Sequence, residues 1–260
     1  MPRAIRTVTA AAALALGFAG AAQAATCGNT SSGYQAWKQE FAAEAQQAGV
    51  GQRGIDALMG AQYSGTTISA DRNQTGVRYS LDEFIRIRLG SVDGFAATAR
   101  KRIQQNPQFY SSLEQRYGVP AGILVAIHGM ETGFGRTMGN VPVISSITTV
   151  AYDCRRSDFF TPHALAALQM VDRGMLSANQ QGAAHGELGH TQFLPGNAMR
   201  YGVDGNGDGR VDFYNQYDVL VRRMAILTSQ PHTAPTRRPA RWRRQGLRGF
   251  GSPRRRRGRW

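Results

Sequence analysis

Glu131 is the residue whose setting most resembles a chemical site. Gly118-Val119-Pro120 reads as a helix start, with Pro120 in the first turn, where its missing N–H is no loss. Ile123, Leu124, Ile127 and Met130 follow at spacings of three and four, and they are expected to form a buried apolar face. Glu131 comes next, then Thr132-Gly133-Phe134-Gly135, where Gly133 or Gly135 can supply the left-handed residue that stops a helix. A carboxyl in the last turn of a buried helix is pressed toward its neutral form by lost solvation and by the negative end of the helix dipole. A carboxylic acid that keeps its proton near neutral pH is what a general acid for glycoside cleavage needs. Taken alone, the stretch fits equally well a glutamate that ends a helix and points into solvent.

Two further clusters invite a metal. Asp204-Gly205-Asn206-Gly207-Asp208-Gly209-Arg210-Val211-Asp212 places oxygen ligands at positions 1, 3 and 5 and Gly at position 6, as in an EF-hand-like calcium loop. Arg210 would offer its carbonyl and Asp212 stands at position 9, but Asn215 occupies the position of the usual bidentate Glu. Asp218 could close a longer loop. The expectation is weak calcium binding, with an Asp/Gly turn that holds no metal as the alternative. His185-Gly186-Glu187-Leu188-Gly189-His190 looks like a zinc-protease motif with the wrong spacing, because that motif sets its two His four apart on a helix. No zinc is expected there. His128 lies one turn before Glu131 and reads as a packed helix histidine.

Helices must position these groups. Tyr34, Trp37, Phe41 and Ala45 have helical spacing over residues 34–48, and Gly54–Met59 fits a short second helix. Ser80 with Glu83 looks like a capping box, Asn106 to Tyr117 reads as another helix, and Thr161-Pro162 is expected to open one that runs to Gly174. No run of alternating strands and no internal repeat stands out. The fold expected is mainly α.

The ends differ from the body. Arg3 and Arg6 precede an apolar run from Val8 to Ala19 and then Ala22-Gln23-Ala24, which reads as a signal peptide over residues 1–24 with export to the periplasm. Thr26 before Cys27 ranks soluble export above lipid anchoring, and no later segment is long and apolar enough to cross a membrane. Residues 229–260 are rich in Arg, Pro and Gly and read as a disordered tail; adhesion to an anionic surface and a slipped reading frame are the alternatives. The formal charge of +14 sits at these ends: residues 25–221 hold sixteen Lys and Arg against seventeen Asp and Glu, a net charge of −1. That argues against a nucleic-acid partner, which needs a basic patch on the fold. Cys27 and Cys154 are the only cysteines, and export makes a disulfide between them plausible, two separate thiols being the alternative.

Together, several motifs carry a family resemblance. Tyr117-Gly118-Val119-Pro120, Ile123-Leu124-Val125-Ala126-Ile127 and Gly129-Met130-Glu131-Thr132-Gly133-Phe134-Gly135 resemble the lytic murein transglycosylases, most of all the membrane-bound lytic transglycosylase B family. The likeness continues through Gly139-Asn140, Val143-Ile144, Thr149, Ala151-Tyr152-Asp153-Cys154-Arg155-Arg156 and Phe159-Phe160. It resumes at Gly186, Gly189 and Gln192-Phe193-Leu194-Pro195, and upstream at Asp71-Arg72-Asn73-Gln74, covering about residues 34–221. The resemblance implies a lysozyme-like catalytic lobe (residues 111–228) with an added N-terminal helical lobe (residues 25–110), acting as a monomer on peptidoglycan glycan strands with no required cofactor. It implies cleavage of the MurNAc–GlcNAc β-1,4 bond without water, with Glu131 as acid and then base and a 1,6-anhydro product. Substrate contacts are implied at Phe134, Tyr152, Glu187, Gln192 and Phe193; Glu187 could also be an ordinary loop residue. The chain departs from the family pattern at Ala183, where a Ser is usual, and at Ile226, near the place of an active-site Tyr. A goose-type-like muramidase and a catalytically impaired wall-binding protein are the alternative functions.

Overall fold

The computed structural model describes residues 24–74 and 79–221. Most of the stretch read as a signal peptide, Ile226 and the Arg-rich tail lie outside the described residues. Helix α1 (Tyr34–Gln47) buries Tyr34, Trp37, Phe41 and Ala45 on one face. Lys38 is buried beside them, and its ammonium donates to the carbonyls of Met59 and Ala61 at 2.7 and 2.8 Å, which satisfies the charge and ties α1 to the end of α2 (Gln52–Gly60).

Capping residues set most of the boundaries that follow. The Ser64 side chain accepts from Thr67 N–H to start α3 (Gly65–Arg72), Ser80 from Glu83 N–H to start α4 (Leu81–Leu89), and Ser91 from Gly94 N–H to start α5 (Val92–Gln105). Pro107 opens α6 (Pro107–Tyr117), which ends on left-handed Gly118. Helix α7 (Ala121–Thr132) then leads to a two-residue strand β1 (Val141–Pro142).

Helix α8 (Val143–Tyr152) is the axis of the fold: nine of its ten residues are buried. A helix so enclosed must satisfy its polar side chains internally. Thr148 pairs with the Tyr34 hydroxyl at 2.6 Å, and Thr149 accepts from Ser64 N–H at 2.9 Å. Helix α9 (Ser157–Asp172) packs along α8, with α2 and α10 (Pro195–Tyr201) against its other sides. Strand β2 (Gln181–Gly182) pairs antiparallel with β1, Val141 opposite Gly182. A last helical stretch runs from 216 to the end of the described residues at 221. The hydrophobic core is continuous from α1 through α9.

Two expectations need correction. The helix expected to open at Thr161-Pro162 begins at Ser157, and Pro162 sits inside it. Phe159 and Phe160 N–H both bond to the Arg156 carbonyl, so the first turn is already made before the proline arrives. The buried face of α7 is Ala121, Leu124, Val125, His128, Gly129 and Thr132, whereas Ile123 and Met130 are 50% and 41% exposed. Gly129 decides this. A Cβ there would lie 2.4 to 2.6 Å from the rings of Phe95 and Phe134, so that side of α7 is the one that can approach its neighbours.

Cys27 and Cys154 form a disulfide with the Cα atoms 5.0 Å apart. The strand-like segment around it is held by Gly28 N–H on the Tyr152 carbonyl and by Cys154 N–H on the Gly28 carbonyl.

Candidate active site

Glu131 lies in the last turn of α7 and is exposed. The expected burial of its side chain is not observed: on the helical wheel Glu131 lies about 60° from His128 on the side away from Thr132, at the edge of the buried arc. Helix α7 stops at Gly133, which takes the left-handed conformation and whose N–H returns to the Gly129 carbonyl.

Phe134 and Gln192 are the non-glycine residues with positive φ among the described residues, at 64° and 52°. Such backbone costs about 1–3 kcal/mol per residue and persists where the surroundings over-determine it. At Phe134 the ring is buried against Phe95 and the edge of His128, and the Arg102 guanidinium covers it at 4.8 Å while donating to the Phe134 carbonyl at 3.3 Å. At Gln192 the side-chain amide donates back to the Gly189 carbonyl at 2.8 Å and reaches the Met138 carbonyl at 3.4 Å. The loop after α7 and the loop around Gly189–Thr191 are thus fastened together. Thr132 reinforces the joint: its hydroxyl donates to the His190 carbonyl at 2.8 Å and accepts from Gly135 N–H at 3.0 Å.

The structure therefore brings Glu131, Phe134 and Gln192 to one loop junction. Phe193 is mostly buried beside them, its backbone paired with Leu188. Glu187 lies on the same loop and is partly buried. Burial works against its charge, but hydrogen bonds from the His185 ring and from backbone N–H groups outweigh this and hold the carboxyl below its ordinary range. Tyr152 is placed elsewhere. It is 3% exposed, sits among Tyr34, Trp37 and Tyr63, and donates its hydroxyl to the Thr30 carbonyl at 2.7 Å. In this position it has no surface to offer a sugar. Ala183 is a turn residue, donating its N–H to the Glu187 carbonyl.

Some relations have little signal in the sequence. Asp71 is buried between the guanidinium groups of Arg155 and Arg156, and Arg72 pairs with Asp153 at 2.6 Å. The motifs at 71–74 and 153–156 are therefore two halves of one crossed ion-pair cluster, joined from more than 80 residues apart. Opposite charges in the two motifs are the one clue the chain offers. His185 and His190 do not face a common metal: His185 turns to Glu187 and Asp71, and His190 to His128 and the Tyr214 carbonyl.

The Asp-rich loop is folded around its own amides. Asp204 accepts from Gly207, Asp208 and Gly209 N–H, Asp208 from Arg210 N–H, and Asp212 from Tyr214 N–H. Buried Asp218 closes the loop by accepting from Gly205, Asn206 and Asp212 N–H. Asn206 donates its side-chain amide to Asp208. These are hard oxygen donors of the kind calcium takes, and each carboxylate keeps spare lone pairs. Among the described residues no three His, Cys, Asp or Glu groups converge on one point.

Comparison with known proteins places this geometry. A region of Escherichia coli strain K12 membrane-bound lytic murein transglycosylase B is 33% identical over 108 residues, which is 41% of this chain and 30% of that protein. The crystal structure of SltB3 from Pseudomonas aeruginosa in complex with NAG-anhNAM-pentapeptide superposes with a TM-score of 0.69 at 31% identity, covering 75% of this chain and 52% of that one. The chain thus spans about half the length of that relative. The Escherichia coli lytic transglycosylase Slt35 in complex with calcium shares the fold, with a TM-score of 0.62 at 22% identity over 77% of this chain and 64% of that one. The model of the transglycosylase SLT domain matches residues 33–230, and the chain belongs to that family.

Proposed function

We propose that this chain is a peptidoglycan lytic transglycosylase that cleaves the MurNAc–GlcNAc β-1,4 bond and leaves a 1,6-anhydro-MurNAc end. The observation that carries this reading is the placing of Glu131: an exposed carboxyl at the end of a buried helix, beside two loops held in costly backbone conformations. In the first step the Glu131 carboxylic acid gives its proton to the departing GlcNAc oxygen. The positive charge growing at C1 of MurNAc is met by the carbonyl oxygen of the sugar's own N-acetyl group. In the second step the Glu131 carboxylate takes the proton from the C6 hydroxyl as that oxygen bonds to C1, which restores the acid. One carboxyl serves both steps, so no second one is needed at a fixed distance. Because Glu131 is exposed in the free chain, the bound glycan must itself exclude water from the carboxyl. Gln192 and Glu187 offer polar groups at the approach, and the buried rings of Phe134 and Phe193 support it from beneath.

Export to an oxidising compartment fits the Cys27–Cys154 bond, and a sulfur in that bond is not available to a lipid. Calcium is proposed as a structural ligand of the loop from Asp204 to Asp218, with side chains of Asp204, Asn206, Asp208 and Asp212 and the Arg210 carbonyl as donors. It takes no part in the chemistry.

The test is a digest of purified sacculi read by mass spectrometry. The expected products are anhydro-muropeptides, one water lighter than hydrolysed ones, and Glu131→Gln should lower their release by about 10²–10⁴-fold. Reducing-end products would instead mark a muramidase, and retention on sacculi with no soluble product would mark a wall-binding protein.

A further inference from the structure

Helix α7 and the Gln192 loop are joined by two imidazoles, buried His128 and half-buried His190, and the hydrogen-bond partners fix their protons. His190 Nε2 lies 3.0 Å from the Tyr214 carbonyl oxygen, which can only accept, so Nε2 carries the proton. In the neutral ring Nδ1 of His190 is then an acceptor. His128 Nε2 lies 3.0 Å from it and must be the donor. The chain of bonds runs from His128 on α7 through His190 to the Tyr214 carbonyl. His128 Nδ1 is left as a lone pair, buried and without a hydrogen-bond partner. The rings are also sterically confined. His128 is fully buried, and a Cβ at Gly135 would lie 2.2 Å from the His190 ring.

We propose that His128 and His190 are positioning residues of the site, holding the Glu131 end of α7 to the Gln192 loop only while both rings are uncharged. This rests on the lytic transglycosylase reading given above. Every added proton breaks the arrangement. A proton on His190 Nδ1 sets two N–H groups against each other. Moving the His128 proton to Nδ1 to relieve that clash leaves a buried N–H with no acceptor. A second proton on His128 itself has the same fault and adds a buried charge. Of the charged groups that face the pair, Arg102 on α5 disfavours a further proton on both rings, and Asp212 favours one on His190. Burial, the larger effect, holds both rings below the usual histidine range.

The experiment compares His128→Leu and His128→Gln with the parent chain. Leu removes the donor to His190. The Gln amide can donate to neutral His190 and, turned over, can accept from charged His190. His128→Leu should lower kcat for sacculus cleavage about 10-fold with KM changed less than 3-fold, and His128→Gln should recover most of that loss. The acid limb of the kcat profile should move to lower pH in His128→Gln. Ring ¹⁵N shifts of the parent chain should show both rings protonated at Nε2 and neutral at pH 8. Equal kcat for Leu, Gln and parent, an unmoved acid limb, or a ring protonated at Nδ1 would overturn the proposal. Nε2-protonated neutral rings in a chain that releases no product at any pH would count against the lytic function while leaving the tautomer assignment standing.

Discussion

Replacing both cysteines by serine should destabilise the chain by roughly 3–5 kcal/mol. The disulfide joins residues 127 apart in sequence. In the chain-entropy treatment a cross-link stabilises by about 3 kcal/mol for a 15-residue loop and about 4.7 for a 100-residue loop, so a separation of this size sets a ceiling near 5. The folded side lowers that figure. Without the bond, the segment before α1 is held by the Gly28 pairing with Tyr152 and Cys154, by Glu40 and Glu44 on the amides of Thr26 and Ala25, by Tyr152 on the Thr30 carbonyl, and by Ala25 packed against the core. It can therefore fray locally, and the freedom it regains offsets part of the loss. The assay is urea unfolding at pH 7, followed by circular dichroism, for the parent, the reduced parent and Cys27→Ser with Cys154→Ser. The slope with denaturant should rise in the double variant, because its unfolded chain expands further. A loss below about 1 kcal/mol with an unchanged slope would refute the reasoning, since the cross-link would then not constrain the unfolded chain.

Gly189→Ala should cost at least about 2 kcal/mol and should also lower sacculus cleavage, because φ is 57° and the new Cβ would lie 1.8 Å from the Phe213 carbonyl; thermal melts decide this, and a shift within the usual surface range of ±0.5 kcal/mol would contradict it. Millimolar calcium should raise the Tm modestly through binding to the folded state, and Asp204→Ala with Asp208→Ala should remove the rise; an unchanged Tm in the parent would mean the loop is a turn held by its own amides. Stability should fall with acid. His128 is pushed down to about 3 by burial first and then by His190 and Arg102, so between pH 6.5 and that value the unfolded chain binds a proton that the folded chain refuses. The loss is roughly 2 kcal/mol between pH 6.5 and 4.5. Urea titrations of His128→Leu should show a shallower pH slope than the parent, and equal slopes would remove His128 as the cause.

What the sequence made legible was local. Ser80 with Glu83 and Gly133 act through bonds within a few residues, and each falls where its chemistry places it, whereas Gly118, read as part of a helix start, ends α6, and Pro120 is the cap before α7 and not part of its first turn. The face of α7 could not be read the same way. Ile123, Ile127 and Met130 compete with Leu124 and Val125, so periodicity offers two apolar stripes. The winner was set by the partners of Gly129, and these lie on α5 and in the loop after α7. Likewise, Asp71 gives no sign of Arg155 and Arg156, nor His128 of His190, because each pair is made by packing between distant elements.

That choice of face also divides the labour at the site. The side of α7 turned inward packs Ala121, Leu124, Val125 and Gly129 into the core, and its imidazole and hydroxyl, His128 and Thr132, grip the neighbouring loop. Phe134 and Gln192 then take up conformations that only a rigid junction can sustain. The outward side carries Glu131 between residues that leave it open to solvent. The fold thus fixes where the carboxyl stands and leaves it exposed. A carboxyl buried in the empty chain would have to pay for desolvation at all times, in stability, whereas one dried by its ligand draws on binding energy only when a glycan is present.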